Sequence, residues 1–191
     1  DVANPKSILN FFEKIDEEMG TADALVTAAG IDNGERPVVE LDQQFVLSIM
    51  KVNVVGLILC CQEFTKRAVS AGRKAVIVNL SSMAATIGGR THKTVYAASK
   101  GAVDVFTIGA AKELAPHGIS VFSVRPGVTR TDMTEEKLKD VVKKSAIEAT
   151  IACGAVAEPS DIANPVIDLI SGNFNYASGS MLNLSGGGFV L

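Results

Sequence analysis

Three short apolar runs constrain this chain more than any other feature. They are ADALVT at 22–27, VIVNL at 76–80 and ISVFSV at 119–124. Each is too short for a helix and rich in β-branched residues, and each is separated from the next by stretches with helical spacing. Strands that alternate with helices point to a parallel sheet with helices on both faces, because parallel neighbours need a crossover between them. The expected fold is therefore α/β: a doubly wound, Rossmann-type parallel sheet in one domain over residues 1–191. Such sheets take their ligands beyond the carboxyl ends of the strands. Thr27–Gly30, Ser82 and Pro126–Thr131 all lie at such ends.

Composition sets outer bounds. The 191 residues suffice for one domain with a sizeable core. A net charge of −3 argues against a nucleic-acid partner. The longest apolar run, VNVVGLILCC, is interrupted by Asn53 and Gly56, so no membrane span is expected. No secretory leader is visible, and a cytoplasmic setting is expected. Cys60, Cys61 and Cys153 read as apolar filler in a reducing compartment. With two isolated histidines, no metal site is assigned.

The stretch 76–100, VIVNLSSMAATIGGRTHKTVYAASK, carries the chemistry. A buried strand breaks at Ser81-Ser82 into a loop with Gly88 and Gly89. A helical pattern then opens with Tyr96 and Lys100, whose i, i+4 spacing places phenol and ammonium on one face. A phenol titrates near 10 and is a poor proton carrier at neutral pH unless a cation stabilises its anion. A serine hydroxyl at the strand end can donate to a carbonyl oxygen that gains charge. Together these groups can move a proton on and off an alcohol oxygen. Taken alone, a Tyr/Lys pair is more often a solvated helix face. The strand, the serine pair and the glycine loop before it favour the chemical reading.

At these residues the chain resembles the short-chain dehydrogenase/reductase family, whose motif is a serine, about thirteen residues, then Tyr-x-x-x-Lys. Here Ser82 stands fourteen before Tyr96, one residue more than the commonest spacing, and Ser81 needs further slack. LCCQEF, YAASKGAVDVFTIGAAKEL and SVRPGVTRTDM look most like a glucose/ribitol-dehydrogenase-like or 3-oxoacyl-reductase-like bacterial branch. The resemblance implies an oxidoreductase that interconverts an alcohol and a ketone or aldehyde by hydride transfer with NAD or NADP. It implies Tyr96 as the acid or base, Lys100 as its pKa-lowering partner and ribose holder, and Ser82 as the polariser of the substrate oxygen. Asn53, in an Asn-x-x-Gly setting inside a helical pattern, is by its residues a core amide in need of a partner. The resemblance makes it the anchor of a relay water.

The same resemblance places the cofactor along Ala28, Ala29 and Gly30, beside Tyr96 and Lys100, and against Pro126, Gly127, Val128, Thr129 and Thr131. The family's usual Asn-Asn-Ala-Gly reads Thr27-Ala28-Ala29-Gly30 here, which keeps small residues and loses two amides. Asp1-Val2 resembles the pair that touches adenine after the family's third strand. Nothing matches the glycine-rich phosphate turn, so the chain looks like a member lacking the first three strands. The polypeptide alone is accordingly expected to bind dinucleotide weakly, with ADALVT as an exposed edge. A homo-tetramer or homo-dimer is implied, with a small alcohol or carbonyl compound as substrate. The competing reading is a catalytically silent scaffold or oligomer partner, favoured by the missing phosphate turn and opposed by the intact Ser82, Tyr96 and Lys100.

The remaining expectations are local. Asn4 should cap a helix with Pro5 in its first turn, carrying Ile8, Phe11, Phe12, Ile15 and Met19 at helical spacing and closed by Gly20. Residues 42–70 should be one helix with Phe45, Ile49, Val52, Leu59 and Phe64 inside. Residues 134–150 should be a polar helical lid, Ser160 should cap the next helix, and the chain should end as a strand with a glycine-rich tail.

Overall fold

The computed structural model describes residues 1–188. The Phe189–Leu191 end of the expected tail lies outside them. Four parallel strands, β1 (Ala24–Thr27), β2 (Ala75–Leu80), β3 (Ile119–Pro126) and β4 (Met181–Leu184), pair in chain order. The expected α/β sheet is present. β1 pairs only with β2 among the described residues, so its outer backbone groups form an open edge, as expected of ADALVT.

The sheet's two faces follow the strand period of two. Ala75 and Ile77 of β2 and Ile119 and Val121 of β3 point one way, into a core built with α1 (Pro5–Met19), α3 (Leu57–Ser70) and α5 (Thr94–Leu114). Val76, Val78, Phe122 and Val124 point the other way, onto Val166 and Leu169 of α8 (Pro159–Ile170). A third cluster, Leu138, Ile147, Ile151 and Val156, holds α6 (Asp132–Lys139) and α7 (Val141–Glu148) together.

Asn4 caps α1 as expected, accepting from the amides of Lys6 and Ser7, and Gly20 ends it at φ 74°. Of the α1 stripe, Ile8 and Phe12 enter the core while Phe11 and Met19 are exposed. The apolar stripe is narrower than the spacing suggested, because only one helix face meets α3 and the sheet. The cap of α8 is Glu158, not Ser160. Pro159 occupies the first turn, and the residue before a proline is pushed to the extended conformation that a cap needs. Asp161 completes the reciprocal box by accepting from the Glu158 amide at 2.8 Å. The lid is two helices, not one, because Asp140 turns extended and caps the second.

Residues 43–70 differ most from expectation. α2 (Gln43–Met50) and α3 are joined without a break by a π turn, Lys51–Gly56. The resulting rod, Gln43–Ser70, is long and apolar enough by length and composition to cross a membrane, contrary to the reading that Asn53 and Gly56 interrupt it. Its inner stripe packs on the sheet and α5. Ile49 and Phe64 are buried, while Phe45, Val52 and Leu59 are only half-buried. Gly56 is needed where the rod meets the N-terminal segment: a Cβ there would stand 2.6 Å from the Val2 carbonyl oxygen. The glycine run at the C-terminus is tied down, with the amides of Cys153 and Ala152 donating to the carbonyls of Gly186 and Gly188.

Candidate active site

β2 ends at Leu80, and the next two serines diverge. Ser81 is buried, and its hydroxyl donates to the Lys100 carbonyl at 3.0 Å. Ser82 accepts from the Ala84 amide at 3.1 Å and turns its hydroxyl to the Tyr96 phenol. Ser82 is therefore the serine that faces the tyrosine. The intervening helix α4 (Ala84–Ile87) ends at Gly88 in the left-handed region, and this turn brings the chain back to start α5 beside Ser82.

Tyr96 and Lys100 lie one turn apart on α5, with the ammonium 5.8 Å from the centre of the ring. Lys100 is buried, and its Nζ donates to the Leu80 carbonyl at 2.7 Å. Burial pushes its pKa down from 10.5 to about 8, against the pull of Asp104. Burial also lifts the Tyr96 phenol above its ordinary value, Asp32 adds to the rise, and the Ser82 hydroxyl opposes it. The expected lowering of the phenol by Lys100 is thus not what the structure gives. The ammonium stands off the ring and bonds to the Leu80 carbonyl.

Asn53, in the π turn, is fully buried and fully partnered. Its Oδ1 accepts from the Ile31 amide at 2.8 Å, and its Nδ2 donates to the Ile31 carbonyl at 2.8 Å and to Ser99 Oγ at 3.0 Å. Ser99 Oγ in turn donates to the Tyr96 carbonyl at 2.7 Å. The amide thus ties the loop after β1 to the helix that carries the tyrosine. A π turn at this point is a common way to re-aim one side chain within a helix.

These groups border a cleft of about 580 Å³ at the carboxyl ends of β1, β2 and β3. Ser82, Tyr96, Lys100, Ala28, Gly30 and Pro126 through Thr129 line it, together with Thr131. Asn53, Ala29, Asp1 and Val2 do not. Asp1 is exposed, and Val2 packs on Gly56. Gly127 is required at its position, since a Cβ would come within 3.0 Å of the Ser185 backbone. Thr131 caps α6 in a reciprocal box with Thr134. A second cleft, of about 470 Å³, lies between Gly127, the 151–157 loop and the end of β4, and holds none of these polar groups.

Three features escaped the sequence reading. Asp32 and Lys93, 61 residues apart in the chain, pair at 2.7 Å on the cleft wall. Lys137 of α6 pairs with Glu35 at 2.6 Å and so joins the lid to the same loop. Beneath the site, Thr27 and Asn79 are register partners, with Thr27 Oγ1 donating to Asn79 Oδ1 at 2.9 Å and Asn79 Nδ2 donating to Thr107 Oγ1 at 2.9 Å. The threonine that replaces a family amide therefore keeps a buried hydrogen bond there. Only the parallel register shows these partners. The polar residues in otherwise apolar strands were the available signal.

The profile of a family described as enoyl-(acyl carrier protein) reductase matches residues 1–188. An uncharacterized oxidoreductase of Escherichia coli is 32% identical over 98% of this chain and 76% of its own length. The chain belongs to the short-chain dehydrogenase/reductase family. A 3alpha-hydroxysteroid dehydrogenase of Mediterraneibacter gnavus is 36% identical over 97% of the short-chain dehydrogenase/reductase chain and 71% of its own length. L-rhamnose-1-dehydrogenase of Scheffersomyces stipitis is 31% identical over 100% of the chain and 73% of its own length. Among solved structures, one provisionally described as a 2-deoxy-d-gluconate 3-dehydrogenase from Agrobacterium tumefaciens, with bound NADP, superposes with a TM-score of 0.86. It is 31% identical, over 98% of this chain and 73% of that one.

Proposed function

We propose that this chain works in an NAD(P)-dependent oxidoreductase that interconverts an alcohol and a ketone or aldehyde. The observation that carries the reading is the convergence of Ser82, Tyr96, Lys100 and the Pro126–Thr131 loop on one cleft. The names of the relatives, sugar and steroid dehydrogenases among them, support the same class.

The described residues fit the nicotinamide half of such a cofactor. Small residues at Ala28 and Gly30 and the tight Pro126-Gly127 turn leave room for a flat ring against the backbone. When bound, the nicotinamide supplies or accepts the hydride. Ser82 donates to the substrate oxygen and holds it near the phenol. Tyr96 gives that oxygen its proton in reduction and takes it back in oxidation. Lys100 places a buried positive charge 5.8 Å from the centre of the ring and on the cleft wall, where it would hold the nicotinamide ribose. Asn53 holds Ile31 and, through Ser99, the first turn of α5. Its role is thereby positional, since all its side-chain groups are spent on protein partners.

The test is oxidation of NADH and NADPH by the full-length polypeptide with a panel of sugar, steroid and acyl ketones. Steady turnover with at least one carbonyl compound is expected. Dinucleotide binding with no turnover across the panel would favour the silent scaffold instead.

We also propose self-association through the outer faces of the 43–70 rod and α5. Leu47 (55%), Val55 (49%) and Val105 (71%) expose apolar surface there with no partner among the described residues. Ala98 and Gly101 leave space for a close helix approach. A dimer or tetramer mass by light scattering at micromolar concentration is expected, and a monomer mass would refute it.

A further inference from the structure

Outside the cleft lining, the buried carboxylate of Asp104 pairs with the partly buried Arg125, and the proposed proton transfer does not itself use either. Asp104 lies on α5, one helical turn past Lys100, with its side chain 6% exposed. Its Oδ2 accepts from Arg125 Nε at 2.9 Å, and its Oδ1 accepts from Ser123 Oγ at 2.8 Å. Ser123 and Arg125 are on the face of β3 that meets α5, and Arg125 directly precedes the Pro126-Gly127 turn. Burying two charges costs more than burying apolar side chains of the same volume. Pinning a helix to a strand does not require them: three residues further along α5, Thr107 does so with neutral groups alone.

We infer that the Asp104–Arg125 pair is an electrostatic setting for Lys100, with the carboxylate keeping the buried ammonium charged and the guanidinium limiting how strongly it does so. The groups around Lys100 leave one place for such a counter-charge. Around Lys100, β2 offers the neutral Leu80 carbonyl, and the π turn offers the neutral Asn53 amide. On α5 itself the titratable neighbours are Tyr96 and Asp104. The loop after β1 brings Asp32, which is engaged by Lys93 and acts on Tyr96. Asp104 is thus the anion that bears on Lys100, one helical turn away, and it opposes the push of burial toward the neutral amine. Ser123 keeps the carboxylate oriented, and Arg125 sets the opposite charge on its other oxygen. Asp104 and Arg125 are positioning residues in this account. It rests on the reading of Lys100 as the tyrosine's partner.

The test reads Lys100 directly in the resting full-length protein, as the pH midpoint of its ¹³Cε resonance, assigned by the signal lost in Lys100→Arg. Asp104→Asn should lower the midpoint by about one unit, since an anion is removed and a cation stays. Arg125→Gln should move it the other way, since the carboxylate is left unopposed. The double variant removes both charges and should return close to the wild-type midpoint, and it keeps the test available if Asp104→Asn fails to fold. Opposite shifts with restoration support the inference. Midpoints that stay put, or single variants that shift the same way, overturn it, because loosened packing alone has no sign. The readout needs no turnover. Failure of the catalytic reading would appear separately, as activity retained without the Tyr96 hydroxyl.

Discussion

Tyr96→Phe in the full-length protein should reduce turnover by about 10² to 10⁴-fold, the usual worth of a positioned general acid. The substitution removes one oxygen and leaves the ring against Lys100. Ser82 is the hydroxyl that faces that oxygen. Stability should therefore stay within about 1 kcal/mol of wild type, the net worth of one hydrogen bond. Dinucleotide affinity should also be retained, since the cleft walls do not change. The raised pKa of the phenol gives the pH behaviour its sign. The acid form is present throughout the neutral range, so carbonyl reduction should be flat there. Alcohol oxidation needs the phenolate and should climb as the pH rises. Near-normal turnover of the Phe variant, or oxidation that falls with pH, would refute the assignment.

Lys100→Met should separate stability from activity in the opposite direction. The lysine titrates at about 8 in the fold against 10.5 outside it, which corresponds to roughly 3 kcal/mol of cost for keeping it charged. A lowered amine pKa means that the unfolded chain holds more protons between pH 8 and 10.5, so wild-type stability should rise with pH across that window. Methionine fills nearly the same volume without the charge and lacks that dependence. The variant should be more stable than wild type at pH 7 by about 1–3 kcal/mol, less than the full cost because the Leu80 carbonyl loses its donor. Urea midpoints measured at pH 7 and pH 10 should show the gap narrowing. Turnover should fall at least about 10²-fold, with the positive charge gone from the ring. A methionine variant that is less stable at pH 7, or one that turns over normally, would contradict the account.

How much of this could be read in advance depended on the kind of residue. The strands were legible because ISVFSV and VIVNL are too short and too β-branched to be anything else in this setting. Ser82, Tyr96 and Lys100 were legible because their spacing and chemistry coincide, and the structure brings all three to one cleft. The π turn was not legible, since Asn53 and Gly56 break an apolar pattern without specifying how the backbone responds. Nor were the partners of Thr27, Asn79 and Asp104. A polar residue in a strand or helix shows that it needs a partner, but only strand register and helix placement decide which. Asp104 in particular looks like one more exposed carboxylate on an amphipathic helix until β3 is laid beside it. The cap of α8 was displaced by two residues because Ser160 is the more usual capping type, while Pro159 fixed the geometry.

The π turn at 51–56 also governs how insertions and deletions can be tolerated. An α-helix advances about 100° per residue. Six residues wound as a π turn advance about as far around the axis as five wound as an α-helix. Removing one residue would therefore let the rod wind regularly while Cys61, Phe64 and Ala68 kept their facing toward the core. The loss would fall inside the turn, where Asn53 is aimed at Ile31 and Ser99. A homologous chain that loses a residue here can keep the packing on both sides of the site and gives up only the bulge that aims this amide.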